Sequence, residues 1–138
     1  MISTPASYAV FALSLLNGPD GDFKLVRDVS KQADIPTDFL QKILNRLRKL
    51  RIIIAKRGAG GGVKLAKNKE DISLLEVLTA MEEPVLESRC VLGLTECNDD
   101  APCPSHNFWS SYKPLLISHW AETNLDKVTE AMKSKGMI

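Results

Sequence analysis

The sequence has little net charge, few aromatic residues and no long apolar run. Its 138 residues carry a formal net charge of +1 and 6% aromatic residues, so total charge gives no reason to expect a nucleic-acid partner. No apolar run reaches the roughly 18 residues that a membrane span needs. The first residues also lack the basic segment of a secretory signal. We therefore expect a cytoplasmic protein without a membrane partner, built as one domain or as one domain with an appended element.

Motifs of common enzyme classes are also missing. The sequence contains no Cys-x-x-Cys pair, no nucleophile elbow and no His-Glu-x-x-His motif. The glycine-rich run at 58–62 lacks the Gly-Lys-Ser/Thr order of a nucleotide-binding P-loop. These absences argue against a thiol enzyme, a metalloenzyme and a nucleotide-binding protein. We expect neither catalytic activity nor a small-molecule substrate.

Two helical segments separated by a tight turn occupy residues 25–50. The turn falls at 34–36, because the proline at 36 disfavours the α conformation in the residue before it. In the second segment, 37–50, the apolar residues fall within an arc of about 140° and leave a polar and basic outer face. That apolar set is Phe39, Leu40, Ile43, Leu44, Leu47 and Leu50. The pattern is typical of a helix-turn-helix, although a surface helix in a small bundle would show the same periodicity.

A β ribbon is predicted directly after this helix. Residues 52–56 are rich in β-branched side chains, residues 57–62 form a glycine-rich turn, and residues 63–66 return as a second strand. A two-stranded ribbon after the recognition helix makes the unit a winged helix. Its tip carries Lys56, Arg57 and Gly58. Glycine lets the backbone approach another surface closely, and an arginine there can enter a minor groove.

The outer face of the 37–50 helix supplies most of the candidate DNA contacts. Gln41 can pair with adenine, and Lys42 can donate to guanine or to phosphate. Asp38 can either cap the helix or accept from cytosine. Arg46, Arg48 and Lys49 either contact phosphates or stay solvated on an exposed helix face. The predicted DNA-contacting residues are Ser3, Thr4, Thr37, Asp38, Gln41, Lys42, Arg46, Arg48, Lys56, Arg57 and Gly58.

Two further helices are predicted in the first 83 residues. Ser3 or Thr4 caps the first helix, which ends at the turn residues 17–22. Both residues also offer hydroxyl and backbone N–H groups to a DNA phosphate. Ser73 and Glu76 form a capping box for a helix at 73–83.

A long apolar helix follows His106. It has little left in its own chain to pack against, so pairing with a second copy is favoured over folding back onto its own domain. Pro114 lies inside this run and should kink or break the helix.

All three cysteines and one of the two histidines lie between residues 90 and 106. In a reducing cytosol, clustered cysteines indicate metal or redox chemistry more than disulfides. Thiolates suit iron–sulfur clusters because they are soft donors that are deprotonated when bound. Structural zinc is the main alternative, although zinc sites usually carry short C-x2–4-C pairs that are missing here. Directly reactive thiols are the third interpretation.

Taken in order, these features resemble the IscR/NsrR/RirA family of bacterial winged-helix transcription regulators, which sense through an iron–sulfur cluster. The matching runs are Ser7-Tyr8-Ala9-Val10, Asn45-Arg46-Leu47-Arg48-Lys49, Arg57-Gly58-Ala59-Gly60-Gly61-Gly62 and the three downstream cysteines. The resemblance covers nearly the whole chain and implies a mostly α fold. It implies a winged helix-turn-helix domain with a two-stranded wing at 1–83, a cysteine-rich cluster-binding loop at 84–106, and a dimerisation helix with a C-terminal tail at 107–138.

The resemblance further implies a homodimer that binds a near-palindromic double-stranded DNA operator. Helix 37–50 would lie in the major groove of each half-site, with the wing in the adjacent minor groove. Cys90, Cys97 and Cys103 would ligate the cluster. The alternative function is a winged-helix repressor with structural zinc or redox-reactive cysteines at the same site.

The fourth cluster ligand divides this family. The IscR branch uses a histidine three residues after the last cysteine and carries a 2Fe–2S cluster, and His106 occupies that position here. The NsrR branch completes a 4Fe–4S cluster with an acidic residue of the first helix, where this chain has the poor ligand Ser7. A 2Fe–2S cluster is therefore favoured. The spacing between Cys90 and Cys97 is one residue longer than in IscR, which keeps 4Fe–4S as the alternative.

Overall fold

The computed structural model describes residues 1–87 and 89–138. Those residues form six helices: α1 (Thr4–Leu15), α2 (Val26–Ala33), α3 (Thr37–Lys49), α4 (Leu74–Ala80), α5 (His106–Glu122) and α6 (Leu125–Ser134). They also form two strands, β1 (Ile53–Lys56) and β2 (Gly62–Leu65), and 3-10 turns at Lys69–Asp71 and Pro84–Leu86. Within the described ranges, no helix combines the length and apolar character that crossing a membrane requires. The predicted mostly α fold with a two-stranded wing is confirmed.

The turn between α2 and α3 is fixed by hydrogen bonds among neighbouring residues. Asp34 adopts a left-handed backbone conformation with φ 54°, and the Ile35 N–H donates to the Ser30 carbonyl at 3.0 Å. The buried Ser30 hydroxyl donates to the Ile35 carbonyl at 2.6 Å and lies 2.9 Å from the Thr37 hydroxyl. Because buried polar groups need partners, these bonds hold α3 at a defined angle to α2.

The wing closes against the segment that precedes α2. β1 and β2 pair antiparallel, with Lys56 opposite Gly62. On the other edge of β2, Lys24 and Val63 exchange two backbone hydrogen bonds of 2.9 and 2.8 Å. A Cβ on residue 62 would stand 2.0 Å from the Lys24 carbonyl oxygen, and the φ of +134° at this position is one that L residues rarely adopt. Glycine at 62 is therefore required for this approach.

The hydrophobic core lies among α1, α3, α4, the base of the wing and the start of α6. Its fully buried large side chains include Leu13, Leu16, Leu40, Leu44, Leu47, Leu65, Ile72, Leu78 and Leu125. Burying one leucine side chain contributes about 1.5–3 kcal/mol. The winged-helix elements therefore pack around one apolar core within a single chain, and Leu125 of α6 completes that core.

The apolar face of α3 is narrower than the sequence predicts. Leu40, Ile43, Leu44 and Leu47 are buried, as expected. Phe39 and Leu50 are instead 38% and 57% exposed. Phe39 lies at the edge of the face, where its ring meets that of Tyr8 edge-on at 5.6 Å between centroids, and Leu50 lies beyond the last helical residue.

The capping box at the start of α4 is confirmed. The Ser73 hydroxyl accepts from the Glu76 N–H at 3.1 Å, and the Glu76 carboxylate accepts from the Ser73 N–H at 3.2 Å. The helix ends at Ala80, three residues before the predicted end, because Glu82 takes a left-handed conformation with φ 52° that a helix cannot continue through.

Of the two outcomes predicted for Pro114, a kink or a break, the break is wrong, since α5 runs without interruption from His106 to Glu122. Proline removes the N–H that would bond to the Ser110 carbonyl. Ser110 is exposed, so water can satisfy that carbonyl. A helix on the surface therefore accommodates a proline that a buried helix would not.

The residues after α5, predicted as a tail, contain the helix α6. α6 packs against α1 and buries Leu125, Thr129 and Met132. The Leu125 N–H also donates to the Ile72 carbonyl at 2.8 Å, just before α4. The end of the chain thus returns to the winged-helix core.

Candidate metal centre and nucleic-acid interface

The cysteine segment, defined here as residues 89–105, begins with a tight backbone turn around Cys90. The Cys90 N–H donates to the Thr95 carbonyl at 2.8 Å, and the Gly93 N–H donates to the Cys90 carbonyl at 2.7 Å. Gly93 has φ +73°, a conformation that glycine adopts without strain. These bonds fix the backbone of Cys90, whose side chain is buried.

The other end of the segment is tied to the start of α5. The His106 N–H donates to the Cys103 carbonyl at 3.0 Å, and the Trp109 N–H donates to the Ser105 carbonyl at 2.9 Å. His106 and Trp109 are the two buried residues of α5. Cys103 and His106 are therefore held by one turn and have a defined relative position.

The four predicted ligands form two contact pairs. The Sγ atoms of Cys90 and Cys103 lie 3.1 Å apart, and the Sγ of Cys97 lies 3.2 Å from Nδ1 of His106. The side-chain hydrogen bond with Cys103 lowers the pKa of Cys90, and backbone hydrogen bonds lower it further. The same bond raises the pKa of Cys103. Cys90 is thus the sulfur of this pair that is better stabilised as a thiolate.

An exposed carboxylate contacts the second ring nitrogen of His106. Oδ1 of Asp99 lies 2.8 Å from Nε2 of the buried imidazole. If Nε2 carries the proton and donates it to the carboxylate, Nδ1 presents its lone pair toward Cys97. No sequence pattern predicts this contact, because Asp99 stands in a polar Asn-Asp-Asp run that is typical of a solvated loop.

Cys90, Cys97, Cys103 and His106 all line one cavity of about 100 Å³. Within residues 1–87 and 89–138, no group of three or more His, Cys, Asp or Glu side chains is arranged so that it could hold a metal ion directly. The donors stand in two pairs rather than around one point, unlike the tetrahedral shell of structural zinc. Three thiols and an imidazole are nevertheless a donor set that suits iron–sulfur clusters.

A buried carboxylate, also missed from the sequence, joins the N-terminus to the region before the cysteine segment. The two oxygens of Glu83 accept from the Ser3 N–H at 3.0 and 3.1 Å, and the Ser3 hydroxyl donates to Glu83 at 2.6 Å. Ser3 also caps α1 by accepting from the Ala6 N–H at 3.4 Å. The N–H and the hydroxyl of Ser3, which we assigned to a DNA phosphate, therefore both donate to Glu83 in this structure. Ser3, Glu83 and Cys90 border a common cavity of about 460 Å³.

Four of the predicted DNA-contacting residues line one cleft between α3 and the wing. Gln41 and Arg48 come from α3, and Lys56 and Arg57 come from the wing, around a volume of about 440 Å³. Asn45 lines the same cleft, and its side-chain oxygen accepts from the Gln41 amide at 3.2 Å. The fold thus gathers amide and cationic groups from two elements on one exposed surface.

The start of α3 differs in one respect from the prediction. Its N-cap position is Pro36, so Asp38 does not serve as the cap and lies exposed in the first turn, as does Lys42 in the second. The Thr37 hydroxyl contacts Ser30 within the turn. Of Thr37, Asp38 and Lys42, it is Thr37 whose side chain makes a hydrogen bond within the turn.

The remaining candidates lie outside the cleft. Arg46 is 4.0 Å from the exposed carboxylate of Glu82, a separation at which an exposed pair is worth little. Gly58 is exposed at the wing tip with φ +88°, and Thr4 is exposed at the first position of α1. The structure therefore does not bring Arg46, Gly58 and Thr4 into the shared cleft.

Comparisons with known proteins agree with this architecture. Residues 2–131 match the model of the Rrf2 family, described as an iron-dependent transcriptional regulator. The chain is 33% identical over 119 residues to the HTH-type transcriptional regulator IscR of Yersinia enterocolitica, covering 85% of this chain and 71% of the relative. It is 29% identical over 129 residues to IscR of Pectobacterium atrosepticum, covering 92% of this chain and 77% of the relative.

Solved structures share the fold. CymR, the global cysteine regulator of B. subtilis, superposes with a TM-score of 0.76 at 18% identity, covering 95% of this chain and 97% of that one. IscR of T. potens superposes with a TM-score of 0.73 at 20% identity, covering 97% and 90%. The chain belongs to the Rrf2 family of iron-dependent transcriptional regulators, which are DNA-binding proteins and not enzymes.

Proposed function

We propose that this chain is a homodimeric transcription regulator whose DNA binding responds to an iron–sulfur cluster held by Cys90, Cys97, Cys103 and His106. A 2Fe–2S cluster is favoured, with 4Fe–4S as the alternative. The observation that carries the proposal is the gathering of three thiols and one imidazole at a single cavity directly before α5. The iron-dependent family and the IscR relatives support the same assignment.

The two contact pairs favour a cluster with two metal sites. Cys90 and Cys103 would ligate one iron, and Cys97 with His106 would ligate the other. When bound, the cluster would supply a redox couple whose potential is raised by a neutral histidine in place of a thiolate. The thiols would bind as thiolates, so loading releases protons to solvent.

The surrounding residues would position these ligands. The turn at the start of α5 holds Cys103 and His106 together, so a displacement of one moves the other. Asp99 accepts a hydrogen bond from Nε2 of His106 and so orients Nδ1 toward the cluster site. A carboxylate behind a metal-bound histidine commonly fixes both the tautomer and the ring orientation.

On the DNA side, α3 would lie in the major groove of each half-site and the wing in the adjacent minor groove. Gln41, which Asn45 holds by a hydrogen bond, would pair with adenine. Arg57 would enter the minor groove. Arg48 and Lys56 would neutralise phosphates, a contribution that weakens as the salt concentration rises.

The exposed face of α5 supports a second copy as partner. Phe108 and Leu115 are 69% and 68% exposed, and the Phe108 ring stacks on Tyr112 at 5.7 Å between centroids. These residues follow at i, i+4 and i+7 and therefore share one face of the helix. A contiguous apolar face is typical of an interaction site, and a two-fold pair would present two α3 helices to a near-palindromic operator.

Two alternatives keep the same fold but assign another role to the cysteine segment: it binds structural zinc, or its thiols react directly with an oxidant. Structural zinc is disfavoured by the paired arrangement of the donors. Directly redox-reactive cysteines are favoured by the contact between Cys90 and Cys103. Neither alternative changes the assignment of the DNA-binding surface.

The test is the composition and spectrum of protein purified without oxygen. Visible absorption, EPR, iron, sulfide and zinc are measured on one sample. About two irons and two sulfides per chain, EPR-silent until reduced, are expected for the proposed cluster. Four irons would require another ligand in addition to or instead of His106. A colourless protein with one zinc would contradict the sensing role.

A further inference from the structure

The Cys90–Cys103 contact has a consequence for the protein without its cluster. We propose that Cys90 and Cys103 form an oxidative modification site, at which a peroxide converts the two thiols to an intramolecular disulfide that blocks cluster loading. The formation of the disulfide does not depend on the proposed function. Only the blocking of the cluster rests on it.

The geometry selects one pair among the three cysteines. The Sγ atoms of Cys90 and Cys103 are 3.1 Å apart, about 1 Å more than the length of a disulfide bond, about 2.05 Å. Cys97 is instead in contact with the His106 imidazole. In the part of the chain that the structure describes, the Cys90–Cys103 pair is the one sulfur–sulfur contact.

The backbone keeps this pair in place. Cys90 is tied to Thr95 by its N–H, and Cys103 is tied to the start of α5 by its carbonyl. The two thiols are therefore held near each other before oxidation, and the bridge can form without a large movement of the loop. Cys103 is half-buried, and Cys90 lines two cavities, which gives a small oxidant a route to the pair.

The reaction balances with hydrogen peroxide as the oxidant. Two S–H bonds are lost and one S–S bond forms, so the protein gives up two electrons and two protons. The two electrons break the O–O bond of the peroxide, and the two protons complete the two water molecules that leave. A dithiol such as dithiothreitol reverses the step by thiol–disulfide exchange.

The disulfide and the proposed cluster exclude each other. A disulfide sulfur is a poor metal ligand because metal binding needs the thiolate, so the bridge would remove two of the four donors. Cys97 and His106 would be left as a pair that cannot hold a cluster alone. Oxidised protein should therefore take up iron and sulfide only after a reductant has opened the bridge.

The experiment begins with chelator-treated, reduced full-length protein that is titrated with hydrogen peroxide. Free thiols should fall from three per chain to one. Digestion with trypsin and with Glu-C in phosphate buffer cuts after Arg89, Glu96, Asp99, Asp100 and Glu122 and spares Lys113, which precedes proline. Each cysteine then lies on its own peptide, and mass spectrometry should find 90–96 joined to 101–122.

Two variants and a reloading step complete the test. Cys97→Ser should keep the Cys90–Cys103 bridge, and Cys90→Ser should lose it. Circular dichroism should show that both variants are folded. A bridge to Cys97, a bridge between chains, or three thiols that persist would overturn the proposal. Uptake of iron and sulfide by the oxidised protein without reductant would overturn the exclusion. If reduced protein also fails to load, the proposed cluster is wrong while the disulfide stands.

Discussion

The winged-helix region (residues 1–83) and the cysteine segment are stabilised by different interactions. The first buries leucines from α1, α3, the wing and α4 in one core. In the second, Val91, Leu92 and Leu94 are exposed, and Cys90 is the one buried side chain among its described residues. The segment is held by backbone turns and by contacts among thiols and an imidazole. The DNA-binding region thus has its own source of stability, while the cysteine segment depends on groups that metal or oxidant can change.

The largest expected effect compares one leucine from each region. Leu44→Ala should lower the free energy of unfolding by about 2–5 kcal/mol, because it opens a cavity in the core. Leu92→Ala is the matched control and should change it by less than about 0.5 kcal/mol, because its side chain is exposed. Urea unfolding of cluster-free protein measures both. Equal losses would mean that the cysteine segment belongs to the same cooperative core.

The second prediction separates cluster binding from folding. Cys97→Ala should abolish iron and sulfide binding, since it removes one of four donors. It should change the unfolding free energy of cluster-free protein by less than about 1 kcal/mol, because its neighbours in the segment are exposed. Metal analysis and urea unfolding on the same preparation test it. An unfolded variant would make the segment a structural element rather than a sensing one.

The same contrast explains what the sequence could predict. The helices, the turn at 34–36 and the wing follow from periodicity, caps and glycines within a few residues of each other. The choice of Cys90, Cys97, Cys103 and His106 as cluster ligands rests instead on the resemblance to the IscR/NsrR/RirA family. The roles of Glu83 and Asp99 depend on partners 80 and 7 residues away. Neither residue has a local pattern that distinguishes it from a solvated carboxylate.

The errors have a similar origin. The angle of Phe39 on α3 predicts a buried side chain, but Phe39 lies at the edge of that face, where it contacts Tyr8 of α1 and stays 38% exposed. Pro114 predicts a kink or a break, and α5 shows no break. The cost of the missing N–H depends on whether the helix is buried, which only the packing decides. α6 has a short amphipathic pattern whose partner, α1, lies at the other end of the chain.

The third prediction concerns the DNA-binding region alone. Arg57→Ala should weaken operator binding by about 1–3 kcal/mol, as expected for the loss of one good contact. The removal of one exposed wing side chain should leave folding and cluster content unchanged. Fluorescence anisotropy with labelled operator at fixed salt measures the affinity. Lys135→Ala, which removes an exposed positive charge at the end of α6, is the control, and equal affinities of the two variants would remove Arg57 from the interface.

The smallest expected effect tests how the segment orients its own ligand. Asp99→Ala should lower the affinity for the cluster by about 10-fold, because His106 loses the acceptor that fixes its ring. It should also shift the reduction potential and the EPR signal of the reduced cluster. Asp99→Asn keeps an acceptor oxygen without the charge and should recover much of the affinity, while the neighbouring Asp100→Ala should behave as wild type. A spectrum and potential unchanged in Asp99→Ala would show that the packing around His106, and not this carboxylate, orients the imidazole.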